Sequence, residues 1–76
     1  MPRLTPLTWA KIICVFRQLG YQIAGQKGSH IKLEKAGMAR PLIVPRYDEV
    51  GVDIILNLIR TAGITREAFF ALLEKC

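Results

Sequence analysis

The chain has 76 residues, of which 51% are apolar, and eleven Lys and Arg against six Asp and Glu give it a formal net charge of +5. This length allows one domain with one core, and no stretch approaches the roughly 20 apolar residues of a membrane span. The charge favours a polyanion or an acidic protein as partner. We therefore predict a single cytoplasmic domain, residues 1–76, with no membrane segment.

An irregular segment and a helix come first in the chain. Residues 1–7 contain two prolines and are predicted to be an irregular extension. Thr8 is a typical helix cap, and Gly20 is a typical residue just after a helix end, so the spacing predicts a helix that ends near Leu19. The apolar residues of this segment repeat at helical intervals and form the predicted core stripe: Trp9, Ile12, Ile13, Phe16 and Leu19.

Three strands are predicted next, over residues 21–24, 30–35 and 40–45. A turn rich in glycine and polar residues, 25–29, joins the first two, and a short Gly-containing connection joins the last two. Short connections of this kind favour an antiparallel meander. The third strand contains two prolines, which cannot donate to a central ladder, and this favours a position at the sheet edge.

Two helices are predicted to complete the chain, over residues 51–61 and 65–75. Gly63 separates them, and Thr65 is placed to cap the second. The order helix, three strands, helix, helix predicts an α+β fold in which the helices cover one face of a three-stranded antiparallel sheet. The other face of the sheet is then free to contact water or a ligand.

The only histidine, His30, opens the second strand directly after a Gly-Ser pair. Side chains alternate along a strand, so His30 and Lys32 are predicted to point outward together. Histidine transfers protons in either direction near neutral pH, and the cations of Lys27, Lys32 and Arg46 suit a phosphate. RNA supplies its own nucleophile, the 2′-hydroxyl. Cleavage also needs a proton for the leaving oxygen, which Lys27, Lys32, Tyr47 or water could give.

Metal and cofactor sites are not predicted. One histidine and two distant cysteines, Cys14 and Cys76, do not have the spacing of a zinc site, and no glycine-rich phosphate loop is present. Cys14 lies in an apolar helical run and is predicted to be a small core residue. Cys76 is predicted to be exposed, and both cysteines are expected to be reduced.

Four short segments occur in a characteristic order. They are Leu19-Gly20-Tyr21, a Gly-Ser-His turn within residues 26–30, a Val-Pro pair within residues 42–46, and an Ala-Gly-Ile break before a Phe-containing helix within residues 59–69. Each is short, but their order and spacing together resemble the HicA toxin family, also called YcfA-like. The resemblance spans about residue 8 to residue 73.

The resemblance implies a double-stranded-RNA-binding-domain-like fold and a toxin of a type II toxin-antitoxin system that cleaves mRNA. The histidine of the Gly-Ser-His turn is the catalytic residue in this family, and here it is His30. A HicB-like antitoxin is then expected to cover the site in a hetero-oligomer. The candidate RNA-binding residues are Lys27, Ser29, Lys32 and Arg46.

Two other functions remain open. The same basic sheet face could serve a non-catalytic RNA-binding module, whose affinity would fall steeply with salt. Alternatively, exposed apolar residues such as Ile43 and Ile54 could serve a protein-interaction domain, because exposed apolar patches often mark interfaces. Leu56 also lies off the predicted core stripe of its helix and is predicted to face a partner.

Overall fold

A computed structural model describes residues 3–76, and its elements follow the predicted order. The three strands form one sheet in the order β1-β2-β3, and both neighbouring pairs are antiparallel. This confirms the α+β, double-stranded-RNA-binding-domain-like architecture. The elements are α1 (Trp9–Gln18), β1 (Gln22–Lys27), β2 (His30–Glu34), β3 (Leu42–Pro45), α2 (Val52–Ala62) and α3 (Arg66–Leu73).

The caps at Thr8, Thr65 and Gly63 are the ones that the sequence indicated, whereas α3 ends at Leu73 and not near residue 75. The side-chain oxygen of Thr8 accepts a hydrogen bond from the backbone of Lys11, and that of Thr65 accepts one from Ala68. Gly63 has a φ of 73° and ends α2 in the left-handed conformation that glycine adopts without strain. No helix within residues 3–76 is long and apolar enough to cross a membrane.

The turn between β1 and β2 is shorter than the five-residue turn that the sequence predicted. Gln26 and Lys27 belong to β1, so only Gly28 and Ser29 connect the strands, and Lys27 pairs directly with His30. Gly28 has a φ of 59°. Within residues 3–76, every residue with a positive φ is a glycine. A glycine at the first position is the pattern of a type II′ hairpin turn. The correction matters because it brings Lys27 opposite His30.

The core lies between the inner face of the sheet and the helices. Phe16 of α1 is fully buried, with its ring centroid 5.8 Å from that of Tyr21 and 6.0 Å from that of Phe69 in α3. The predicted stripe of α1 is confirmed at its centre, and Val15 is buried as well, because α1 packs against α3 in addition to the sheet. Burial also raises the pKa of the Tyr21 hydroxyl by desolvation.

The N-terminal segment packs on the rest of the molecule without forming a helix. Of the segment predicted to be irregular, residues 1 and 2 lie outside the described part of the chain, residues 3–6 belong to no helix or strand, and Leu7 forms an isolated β-bridge with Val50. Leu4 is buried in the core. Leu7 exchanges two backbone hydrogen bonds with Val50, of 3.3 and 2.7 Å. The segment that leads into α1 is therefore held against the loop that follows β3.

A disulfide joins Cys14 of α1 to Cys76, with the two Cα atoms 6.1 Å apart. The expectation of two reduced cysteines differs from this structure, and Cys14 is half-buried rather than fully buried. The two cysteines meet because α3 packs on α1, which places Cys76, beyond the end of α3, next to that helix. The side-chain amide of Gln18 also donates to the carbonyl oxygen of Leu72 at 2.9 Å, so α1 is bonded both to α3 and to the residue that ends the chain.

Reduction of the disulfide is expected to lower the free energy of unfolding by about 2–4 kcal/mol, because a long closed loop restricts the unfolded chain. The bonded cysteines are 62 residues apart. In a domain of this size, such a loss should lower the melting temperature by roughly 8 °C or more. Thermal unfolding with and without a reductant measures the effect.

The Cys76→Ser variant is the control and should melt at the same temperature in both buffers. Two free thiols in the unreduced wild type, together with a melting temperature that the reductant does not change, would show that the bond does not form in solution.

Candidate functional site

His30 is the first residue of β2, and its side chain is exposed on the sheet face opposite the core. Along this strand Ile31 and Leu33 are buried, whereas His30, Lys32 and Glu34 are exposed. The alternation follows from the two-residue period of a strand, whose inner side chains pack under the helices. The predicted outward orientation of His30 is confirmed.

A concave surface surrounds the histidine. It has a volume of about 690 Å³. Gly25 lies opposite Lys32 in the adjacent strand, and a Cβ added there would meet no atom within 4 Å, so this part of the surface is open. We call this surface the basic concavity, and it is lined by Gly25, Gln26, Lys27, Gly28, His30, Lys32 and Ile43.

Lys27 is the cation placed most directly beside His30. The two residues are opposite each other in the antiparallel pair of β1 and β2. Directly opposed residues have Cβ atoms about 4.5–5.5 Å apart and their side chains share a face. Lys27 forms no ion pair within residues 3–76. Its ammonium group is therefore available for an anion that reaches the histidine.

Lys32 also lines the basic concavity, but its ammonium group forms an ion pair with Glu34. Its Nζ atom lies 3.2 Å from a carboxylate oxygen of Glu34, two residues further along the outer face. The sequence placed both residues on this face but did not predict their ion pair. Both side chains are about half exposed, at 48% and 56%. An exposed pair of this kind is weak, so a phosphate can compete with Glu34 for the lysine.

Arg46 lies at the end of the sheet and does not line the basic concavity, which corrects the expectation that it stands beside His30. Pro45 is the residue opposite His30, so the next residue points to the other side of the sheet. The guanidinium carbon of Arg46 lies 4.9 Å from the centre of the Trp9 ring. Its backbone N–H donates to the carbonyl oxygen of Ser29 at 2.6 Å, so the backbone of Ser29 holds Arg46 beside the turn between β1 and β2.

Ile43 connects the basic concavity to a second, more apolar groove. It lies opposite Lys32 in β3, and 44% of its surface is exposed, as the sequence predicted. On its other side it lines a groove of about 450 Å³ with Ile54 and Leu56 of α2. These two helix residues are half-buried and lie outside the fully buried stripe of α2.

A family model described as the HicA toxin of bacterial toxin-antitoxin systems matches residues 9–64. The chain belongs to the HicA toxin family. The matched segment contains α1, the whole sheet and α2, and it therefore includes every residue of the basic concavity. It ends before α3, although the motifs in the sequence had extended the resemblance to about residue 73. No curated protein matches the chain.

Membership in the HicA family assigns this chain the role of a toxin in a toxin-antitoxin system and implies that it pairs with an antitoxin. The net charge of +5 is in keeping with an acidic partner.

Proposed function

We propose that this HicA-family toxin is a cytoplasmic endoribonuclease that cleaves mRNA, with His30 as its acid/base residue. The observation that carries the proposal is the position of this histidine. It is exposed on the open face of the sheet and shares the basic concavity with Lys27 and Lys32. A histidine that can serve as a general base, two lysine cations and room for a phosphodiester are thus on one surface, which supports the proposal.

The chemistry follows from the RNA backbone. His30 takes the proton of a 2′-hydroxyl, and the resulting oxygen attacks the adjacent phosphorus atom. The bond from phosphorus to the 5′-oxygen then breaks, which leaves a 2′,3′-cyclic phosphate on one fragment and a 5′-hydroxyl on the other. A lysine of the basic concavity or a water molecule gives the leaving oxygen its proton, and the two ammonium groups stabilise the charge on the phosphate.

Lys27 and Lys32 are the proposed RNA contacts within the basic concavity, because they line it together with His30. Ser29 and Arg46 are proposed contacts at the adjacent end of the sheet, where a backbone hydrogen bond joins them. The proposed partner is a HicB-like antitoxin that forms a hetero-oligomer with this chain and covers the basic concavity. Such a protein would block RNA by occupying the same cations.

Purified protein incubated with end-labelled RNA in the presence of a metal chelator is expected to produce short fragments with many turnovers per protein molecule. A mock preparation from cells that lack the toxin controls for contaminating nucleases. Intact RNA after a long incubation, combined with binding that weakens as salt is added, would favour a non-catalytic RNA-binding module instead. If the RNA stays intact and the protein does not bind it, the protein-interaction function is favoured instead.

A further inference from the structure

At the end of the sheet, outside the basic concavity, the guanidinium group of Arg46 lies over the ring of Trp9. The guanidinium carbon of Arg46 is 4.9 Å from the centre of the Trp9 ring. Arg46 is exposed and Trp9 is half-buried. Among residues 3–76 the one ion pair is between Lys32 and Glu34, so no carboxylate in this range neutralises Arg46. The guanidinium of Arg46 lies against a ring and has no acidic partner within residues 3–76, so it is available to bind an external anion.

Three backbone hydrogen bonds hold the backbone at Trp9 and at Arg46 close together and close to the hairpin that carries His30. The N–H of Arg46 donates to Ser29 at 2.6 Å, and that of Tyr47 donates to Pro45 at 2.8 Å. The N–H of Trp9 donates to the carbonyl oxygen of Tyr47 at 3.1 Å. The ring and the guanidinium are therefore attached to the same loop. Their stacking does not depend on two freely moving segments.

We propose that Trp9 is a positioning residue that holds Arg46 as a second phosphate-binding site for RNA. This inference rests on the proposed function, which already includes Arg46 as an RNA contact, and it adds the role of Trp9 in orienting that arginine. The guanidinium of Arg46 lies over the Trp9 ring, and a planar guanidinium can both contact an aromatic ring and bind one phosphate through two of its N–H donors. The attraction between the cation and the ring restricts the arginine before it binds, so less conformational freedom is lost when a phosphate binds.

The positions of the two sites also specify the form of the RNA. His30 lies on the open face of the sheet, whereas the neighbouring Arg46 points to the side of the helices. A nucleic acid that contacts both must bend around the end of the sheet. A flexible single strand can follow this path, and unpaired RNA is also the form in which proteins usually contact bases. We therefore expect single-stranded RNA to bind more tightly than a perfect duplex of the same length.

The test measures binding of a fluorescent single-stranded 2′-O-methyl RNA, which lacks the 2′-hydroxyl nucleophile, to the otherwise unmodified protein over a range of salt concentrations. Arg46→Gln should weaken binding on the order of 3–10-fold at low salt and reduce the slope of log K against log salt by about 0.7, the value for one phosphate of a single strand. Arg66→Gln removes a matched exposed charge at the start of α3 and should leave the slope unchanged.

Variants at Trp9 show whether RNA binding needs the orientation of the Arg46 guanidinium or only its positive charge. Trp9→Leu should weaken binding about as much as Arg46→Gln, and the double variant should be no weaker than either, because coupled residues are not additive. Trp9→Phe retains a ring and should restore most of the affinity. Arg46→Lys leaves Trp9 itself unchanged and keeps the charge but not the planar group, so it should bind nearly as weakly as Arg46→Gln even if Trp9→Leu does not fold.

Three results would overturn the inference. Wild-type affinity in Trp9→Leu, or in Arg46→Lys, would show that the stacked arrangement is not needed. Salt-dependent binding that neither Arg46→Gln nor Trp9→Leu changes would show that no phosphate binds at Arg46, while the proposed function would stand. Absence of salt-dependent RNA binding in the unmodified protein would contradict the proposed function itself.

Discussion

Replacement of His30 by glutamine is expected to slow RNA cleavage by roughly 10²–10⁴-fold, the usual contribution of a positioned acid/base group. Glutamine has a similar size and polarity but cannot transfer a proton. His30 is exposed, and its side chain makes no hydrogen bond within residues 3–76, so the fold should not depend on it. The melting temperature should therefore stay close to that of the wild type. Cleavage rates of labelled RNA and thermal unfolding of the two proteins provide the measurement.

A control variant at Gln22 and a growth assay complete this experiment. Gln22→Ala changes an exposed polar residue of the same sheet that does not line the basic concavity, and it should cleave RNA at the wild-type rate. In a growth assay, wild type and Gln22→Ala should arrest cells, whereas His30→Gln and His30→Ala should not. Equal growth arrest by the wild type and both His30 variants would assign the chemistry to another group.

Local sequence chemistry was sufficient to predict the order of the elements and most of their ends. Thr8 and Thr65 each cap a helix with their own hydroxyl, and Gly63 ends one with a positive φ. These contacts involve residues three or four positions apart, so they are present in the sequence itself. The outward position of His30 was predictable for the same reason, because it depends only on the alternation along β2.

Features that depend on tertiary packing were not predictable. The disulfide joins cysteines 62 residues apart, and their approach requires α3 to lie on α1. The ring of Trp9 was expected to belong to the core. It packs against the core but is only half-buried, and it also contacts Arg46 because the loop after β3 returns to the start of α1. No spacing rule connects residues 9 and 46.

The candidate site was predicted in part. The concavity that contains His30, Lys27 and Lys32 agrees with the expectation of a basic outer face. Arg46 was grouped with them because it is close to the third strand, but a shift of one residue along a strand reverses the direction of the side chain. Lys27 was placed in a five-residue turn, and its direct pairing with His30 follows from the extension of β1 to this residue.

The central claim is that His30 activates the 2′-hydroxyl of the RNA, and a substrate with one modified nucleotide tests it most directly. The cleavage position is first mapped in a short RNA, and a second RNA is then made with a 2′-deoxynucleotide on the 5′ side of that bond. We expect the unmodified RNA to be cut to a 2′,3′-cyclic phosphate, and the deoxy-substituted bond to remain intact, because it has no nucleophile. Cleavage of both bonds at the same rate would contradict the mechanism.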